Sequence, residues 1–144
     1  KEKDVVGIVL KNPDSGKEYL TEIEFEEMLS GVNPGLTVVT TDICYGGRQA
    51  KRVGKGRRVG ISAWAQDEAA VTGNDGHSFS HYFYSAFSST ELMEDGVVSL
   101  KAAFQHSSRK YRTNDRLWLR RLETGEPIPT PHIFSQIDPS GVTI

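Results

Sequence analysis

The stretch Leu36-Thr37-Val38-Val39-Thr40-Thr41-Asp42-Ile43-Cys44-Tyr45-Gly46-Gly47 decides how this chain is read. Residues 36–43 are apolar with interspersed threonine and lie between Gly35 and the Gly46-Gly47 pair. A β-branched run bounded by glycine predicts a short strand, and the lack of strict alternation predicts a buried one. Cys44 then falls at the strand's carboxyl end. In open α/β sheets that is the end where ligands bind. The two glycines allow the backbone to turn sharply after the cysteine and to approach another group closely.

The flanking segments fit one α/β domain spanning residues 1–144. Upstream, Val5-Val6-Gly7-Ile8-Val9-Leu10 reads as a strand, stopped by the turn cluster Asn12-Pro13-Asp14-Ser15-Gly16. Thr21 and Glu24 form a capping-box pattern ahead of Phe25, Met28 and Leu29, which predicts a helix over about 21–30. Ser30-Gly31 and Asn33-Pro34-Gly35 end it. Downstream, residues 46–58 read GGRQAKRVGKGRR, with six basic residues, four glycines and no acid, which predicts a mobile basic loop. Residues 59–65 predict a second buried strand, followed by a polar connection over 66–76 that contains Asp67, Glu68 and Asp75. Phe79, Phe83, Ala86 and Phe87 share a face of a helix over about 78–88. Leu100, Ala103, Phe104 and Ser107 repeat at i, i+3, i+4, i+7 over about 98–110. The proline-punctuated tail from Pro127 holds at most a short strand near 132–134. Strands alternating with helices predict a mostly parallel sheet covered on both faces, a three-layer α/β sandwich.

Composition narrows the setting. The 144 residues are 37% apolar and 25% charged with a formal net charge of -2, which gives no global attraction to nucleic acid or anionic membrane. No apolar run approaches the ~20 residues of a membrane helix, and no signal-peptide pattern opens the chain. A chain that begins with Lys1 is expected to be trimmed, processed or part of something longer. One cysteine allows no internal disulfide, and none of the asparagines at 12, 33, 74 and 114 opens a glycosylation sequon. Together these favour a reducing, cytoplasmic setting.

Cys44 has two readings on residues alone: a small buried apolar residue, or a nucleophile fixed by a strand end. Three further segments bear on the choice. They are Arg58-Val59-Gly60-Ile61-Ser62-Ala63-Trp64-Ala65-Gln66-Asp67-Glu68-Ala69-Ala70, Gly76-His77-Ser78-Phe79-Ser80-His81-Tyr82-Phe83, and Pro129-Thr130-Pro131-His132. Taken in order with 36–47, they resemble the C-terminal part of the caspase-like cysteine peptidase superfamily, which includes caspases, metacaspases, legumains, separases and CHAT peptidases. Phe83 departs from the pattern, standing where the family usually carries an aliphatic residue.

The resemblance implies an endopeptidase in which the Cys44 thiol attacks a peptide carbonyl and an oxyanion hole includes Gly46. Ser62, Trp64 and Asp67 would line the substrate cleft. Asp42, two residues before the cysteine, would select a basic P1 side chain with Asp67 as a second acid; their ordinary reading is as turn caps. The family's histidine precedes the cysteine in a His-Gly pair, and no such pair precedes Cys44 here. All four histidines, at 77, 81, 106 and 132, follow it. The resemblance therefore implies an upstream segment or companion chain that carries the base, with a peptide or protein as substrate.

A peptidase that prefers Arg or Lys could process its own chain at Arg48, Lys51, Arg52, Lys55, Arg57 or Arg58. His77 reads as a helix-start residue, His81 and His106 as helix-surface residues, and His132 as structural. No cofactor or metal is expected, because the histidines show no ligand spacing. Two alternatives stand beside the peptidase: a catalytically inactive regulatory module on the same fold, and nucleic-acid binding through the basic loop. The second is disfavoured by the absence of interleaved aromatics.

Overall fold

The computed structural model describes residues 7–9, 19–32, 35–68, 78–114, 121–125 and 128–144. The expected turn at 12–16, His77, Asp75 and most of the acidic connection lie outside the described residues. Strands β1 (Gly7–Val9) and β2 (Tyr19–Thr21) form an antiparallel pair, and β2 was not anticipated. Helix α1 (Glu22–Ser30) follows directly, started by the expected capping box. The Glu24 carboxylate accepts from the Thr21 N–H at 2.9 Å, and the Thr21 hydroxyl accepts from the Glu24 N–H at 3.2 Å.

The site stands on a second sheet. Strand β3 (Thr37–Thr41) runs into helix α2 (Gly46–Val53), which returns the chain to strand β4 (Arg58–Ser62), parallel to β3. Helices α3 (Phe79–Ala86) and α4 (Leu100–Arg112) pack on each other, and β5 (His132–Ser135) then pairs with β4. The order is β3-β4-β5, and β5 is antiparallel to β4. The chain is thus α/β as expected, but this sheet is mixed. Its connections account for the difference. One helix between strands returns the chain for a parallel partner, as α2 does. From β4 the chain passes through α3, α4 and a further helical turn at 121–124 before β5, which runs the other way.

Stretch 46–58, expected as a loop, is helical over Gly46–Val53. Its small residues are the reason. Gly47, Ala50 and Gly54 recur at i, i+3, i+7 and form a seam against the sheet. A Cβ on Gly47 would sit 2.7 Å from the Trp64 carbonyl, and one on Gly54 would strike the Phe134 carbonyl. Gly60 meets the same seam from below, where a Cβ would run into the Ala50 carbonyl. Tertiary fit overrides the low helix propensity of glycine.

The other face of β4 carries the core. Val59 and Ile61 are fully buried with Trp64, Phe79, Phe83, Leu100, Ala103 and Tyr111. Phe79 stacks on Phe83 at 5.9 Å and meets Tyr111 edge-on at 5.8 Å. Every residue of β4 after Arg58 is buried, whereas β3 is only partly buried up to Thr40. The difference follows from position: β4 is central, and β3 is an edge strand among the described residues. No helix among the described residues is long and apolar enough to cross a membrane.

Candidate active site around Cys44

Strand β3 delivers Asp42, Ile43 and Cys44 into a four-residue turn that ends on α2. The Gly46 N–H closes it on the Ile43 carbonyl at 3.0 Å, and the Arg48 N–H bonds the Tyr45 carbonyl at 3.0 Å. Tyr45 caps α2 in the left-handed region, at φ 56 and ψ 21. Such a conformation is strained for a bulky residue, and strain of this kind concentrates at functional sites. Cys44 is exposed and forms no disulfide. It stands at the amino end of α2, where the positive end of the helix dipole favours negative charge.

Buried contacts hold the turn from below. The Thr41 hydroxyl lies 3.1 Å from the carbonyl oxygens of both Gly46 and Ile61, and can donate to either. The Ala63 N–H extends the ladder to the Thr41 carbonyl at 3.1 Å. Gly46 and Gly47 are both buried, and a Cβ on Gly46 would lie 2.9 Å from the Ser62 hydroxyl. The glycines therefore serve helix-to-strand packing as well as the turn.

Asp42 is half-buried and reaches α3. Its Oδ2 accepts from the Ser80 N–H at 3.0 Å and from the Ser80 hydroxyl at 3.1 Å. Sequence reading allowed a capping role for Asp42 and placed it on its own turn; the bonds instead tie β3 to the first turn of α3, 38 residues away. Asp67 is exposed in the turn after β4. Ser62 is fully buried, donating to the Trp64 carbonyl at 2.7 Å and accepting from the Trp64 N–H at 3.1 Å. Trp64 is 3% exposed and meets Tyr111 edge-on. Both were expected in the substrate cleft. Burial instead makes them the floor beneath the turn: Ser62 ends β4 on the face that meets α2, and Trp64 joins the core.

Glu68 is the positioning residue that sequence reading passed over. Its carbonyl accepts from the Tyr45 N–H at 2.9 Å, directly after Cys44. Its Oε2 accepts from the Ala65 N–H at 2.9 Å and the Thr130 N–H at 3.3 Å. One residue thus joins the cysteine turn, the β4 exit and the segment before β5. A lone acid after a strand carries no sequence signal for that.

The basic residues divide into two groups. Arg48 and Arg52 of α2 pair with Glu22 of α1 at 3.6 and 3.8 Å, and Arg52 also meets Glu26 at 2.7 Å. Lys55, Gly56 and Arg57 are exposed in the turn into β4, where Lys55 bonds Glu26 at 2.9 Å. Among the described histidines, His132 pairs in register with Ser62, at the same sheet end as Cys44. His81 follows Ser80 in α3, exposed, and His106 lies in α4. No protein-family model, curated protein or solved structure matches the chain.

Proposed function

We propose that this chain is the nucleophile-bearing part of a caspase-like cysteine endopeptidase. One observation carries the reading: an exposed cysteine at the carboxyl end of a sheet strand, followed by a strained left-handed residue that starts a helix. A rigid strand fixes the Cα, and the turn leaves the cysteine exposed to a substrate. In the complete enzyme the sheet would become a three-layer sandwich, extended at the edge that β3 forms among the described residues by an upstream strand that carries the histidine.

The thiolate of Cys44 attacks the peptide carbonyl, and the upstream histidine protonates the leaving amine. Water then hydrolyses the thioester. The Gly46 N–H would have to exchange the Ile43 carbonyl for the oxyanion. Asp42, with Oδ2 held by Ser80, would offer Oδ1 to an Arg or Lys at P1, and Asp67 would add charge from the surface. Self-processing falls in the exposed turn at Lys55 or Arg57. Arg48, Lys51 and Arg52 are helical, and a peptidase needs an extended chain.

With the histidine-bearing segment present, the protein should cleave a peptidyl-Arg amide, and Cys44→Ala should abolish turnover. Absence of turnover under those conditions would remove the reading. The occupied Gly46 N–H favours a second one, a catalytically silent module that uses the same surface for binding. The α1 carboxylates that neutralise Arg48 and Arg52 weigh against a nucleic-acid surface along α2.

A further inference from the structure

The opposite end of the sheet holds a concave basic site that the peptidase reading does not use. Leu29, Ser30 and Thr37 line it with Lys55, Arg57 and Arg58, enclosing about 280 Å³. Thr37 pairs in register with Arg58, so the cavity opens at the amino ends of β3 and β4, while Cys44 lies past their carboxyl ends. Of its three cations Lys55 also bonds Glu26 of α1, at 2.9 Å. The Nε of Arg57 bonds the Gly35 carbonyl, and the Nε of Arg58 donates to the Lys55 carbonyl at 3.4 Å. These bonds fix both guanidinium groups and leave their outer nitrogens for other work. The Arg58 Nη1 is shielded from solvent and meets no acceptor among the described residues. A buried guanidinium N–H without a partner is costly.

We propose that this cavity binds a small soluble phosphate compound through Arg57, Arg58 and Lys55. Phosphate suits the site better than carboxylate. It offers three terminal oxygens to three cations, and arginine pairs with it bidentately. Concavity argues for a small molecule: a nucleic-acid strand needs a continuous basic track, and the neighbouring stripe on α2 is already paired with α1.

The test uses inorganic pyrophosphate, titrated into the chain at constant ionic strength and followed by calorimetry and amide NMR shifts. One saturable site is expected, with shifts centred on Ser30, Thr37 and residues 55–58. Arg57→Gln and Arg58→Gln should each weaken binding at least about tenfold, as loss of a bidentate contact does. Lys51→Gln, exposed on α2 outside the cavity, should leave it unchanged. If Arg58→Gln does not fold, Arg57→Gln and Lys55→Gln carry the same expectation. Shifts scattered over the surface, or affinity unmoved by Arg57→Gln, would overturn the proposal. So would a single-stranded oligonucleotide that binds more tightly than pyrophosphate.

Discussion

A bulky residue in the left-handed region costs about 1–2 kcal/mol, and Tyr45 bears that cost beside Cys44. The residue is 40% exposed, so packing does not demand it there. Tyr45→Gly should therefore leave stability within about 1 kcal/mol, relief of strain being offset by a more flexible unfolded chain. If the conformation serves Cys44, the same variant should lower the rate of thiol modification by a peptidyl inhibitor. Asp42 separates its two roles by substitution. Asp42→Ala loses the bonds to Ser80 and should cost about 1 kcal/mol, as other lost caps do. Asp42→Asn keeps an acceptor for Ser80 and should hold the melting temperature, yet lose preference for Arg over Leu at P1. Equal loss on both substrates would place Asp42 with the structural residues. The position of Cys44 at a strand end was legible in residues 36–47. The use of Asp42 was not, because its partner lies 38 residues on, and no local pattern encodes such a pairing.

At the scale of elements, α2 shows where sequence reading stops. Four glycines and six cations over 46–58 read locally as a loop, yet two patterns within them point to a helix. Gly47, Ala50 and Gly54 repeat at i, i+3, i+7. Arg48 and Arg52 repeat at i, i+4 and match Glu22 and Glu26 of α1 at the same spacing. Apolar periodicity misses the first pattern because glycine buries no side chain. Gly60→Ala should cost about 3 kcal/mol or more in denaturant unfolding, since its Cβ meets the Ala50 backbone. Gly56→Ala should cost only about 1 kcal/mol, from its φ of +60 with open space around it. The α1–α2 pairing also has a pH signature. The hydrogen bond from Lys55, then the nearby cations, hold the Glu26 carboxyl below its ordinary 4.5. A lowered folded value stabilises the protein above 4.5, and that share is lost as pH falls through the folded value. The pair is partly exposed, so Glu26→Gln should remove only about 0.5 kcal/mol at neutral pH, less in high salt. A pH-stability curve for the variant that runs a constant margin below the parent above pH 4.5 and closes on it as pH falls below 4.5 would bear this out.

For the whole molecule the edge that β3 forms among the described residues matters most. Helices α1, α3 and α4 were legible from caps and apolar spacing, and β3 and β4 from β-branched runs. The direction of β5 was not, because it depends on how the helical segments between β4 and β5 pack. If an upstream strand completes the sheet, amide protons of Thr37–Thr41 that do not bond β4 should exchange far more slowly in its presence. Unchanged exchange would leave β3 a true edge. The most direct measurement concerns Cys44 itself. The protein, together with the proposed histidine-bearing upstream segment, is treated with a peptidyl-Arg fluoromethyl ketone and analysed by intact mass and peptide mapping. Stoichiometric labelling at Cys44, lost when the upstream histidine becomes alanine, is the expected result. An unlabelled Cys44 with that segment bound would contradict the assignment of the cysteine as a nucleophile.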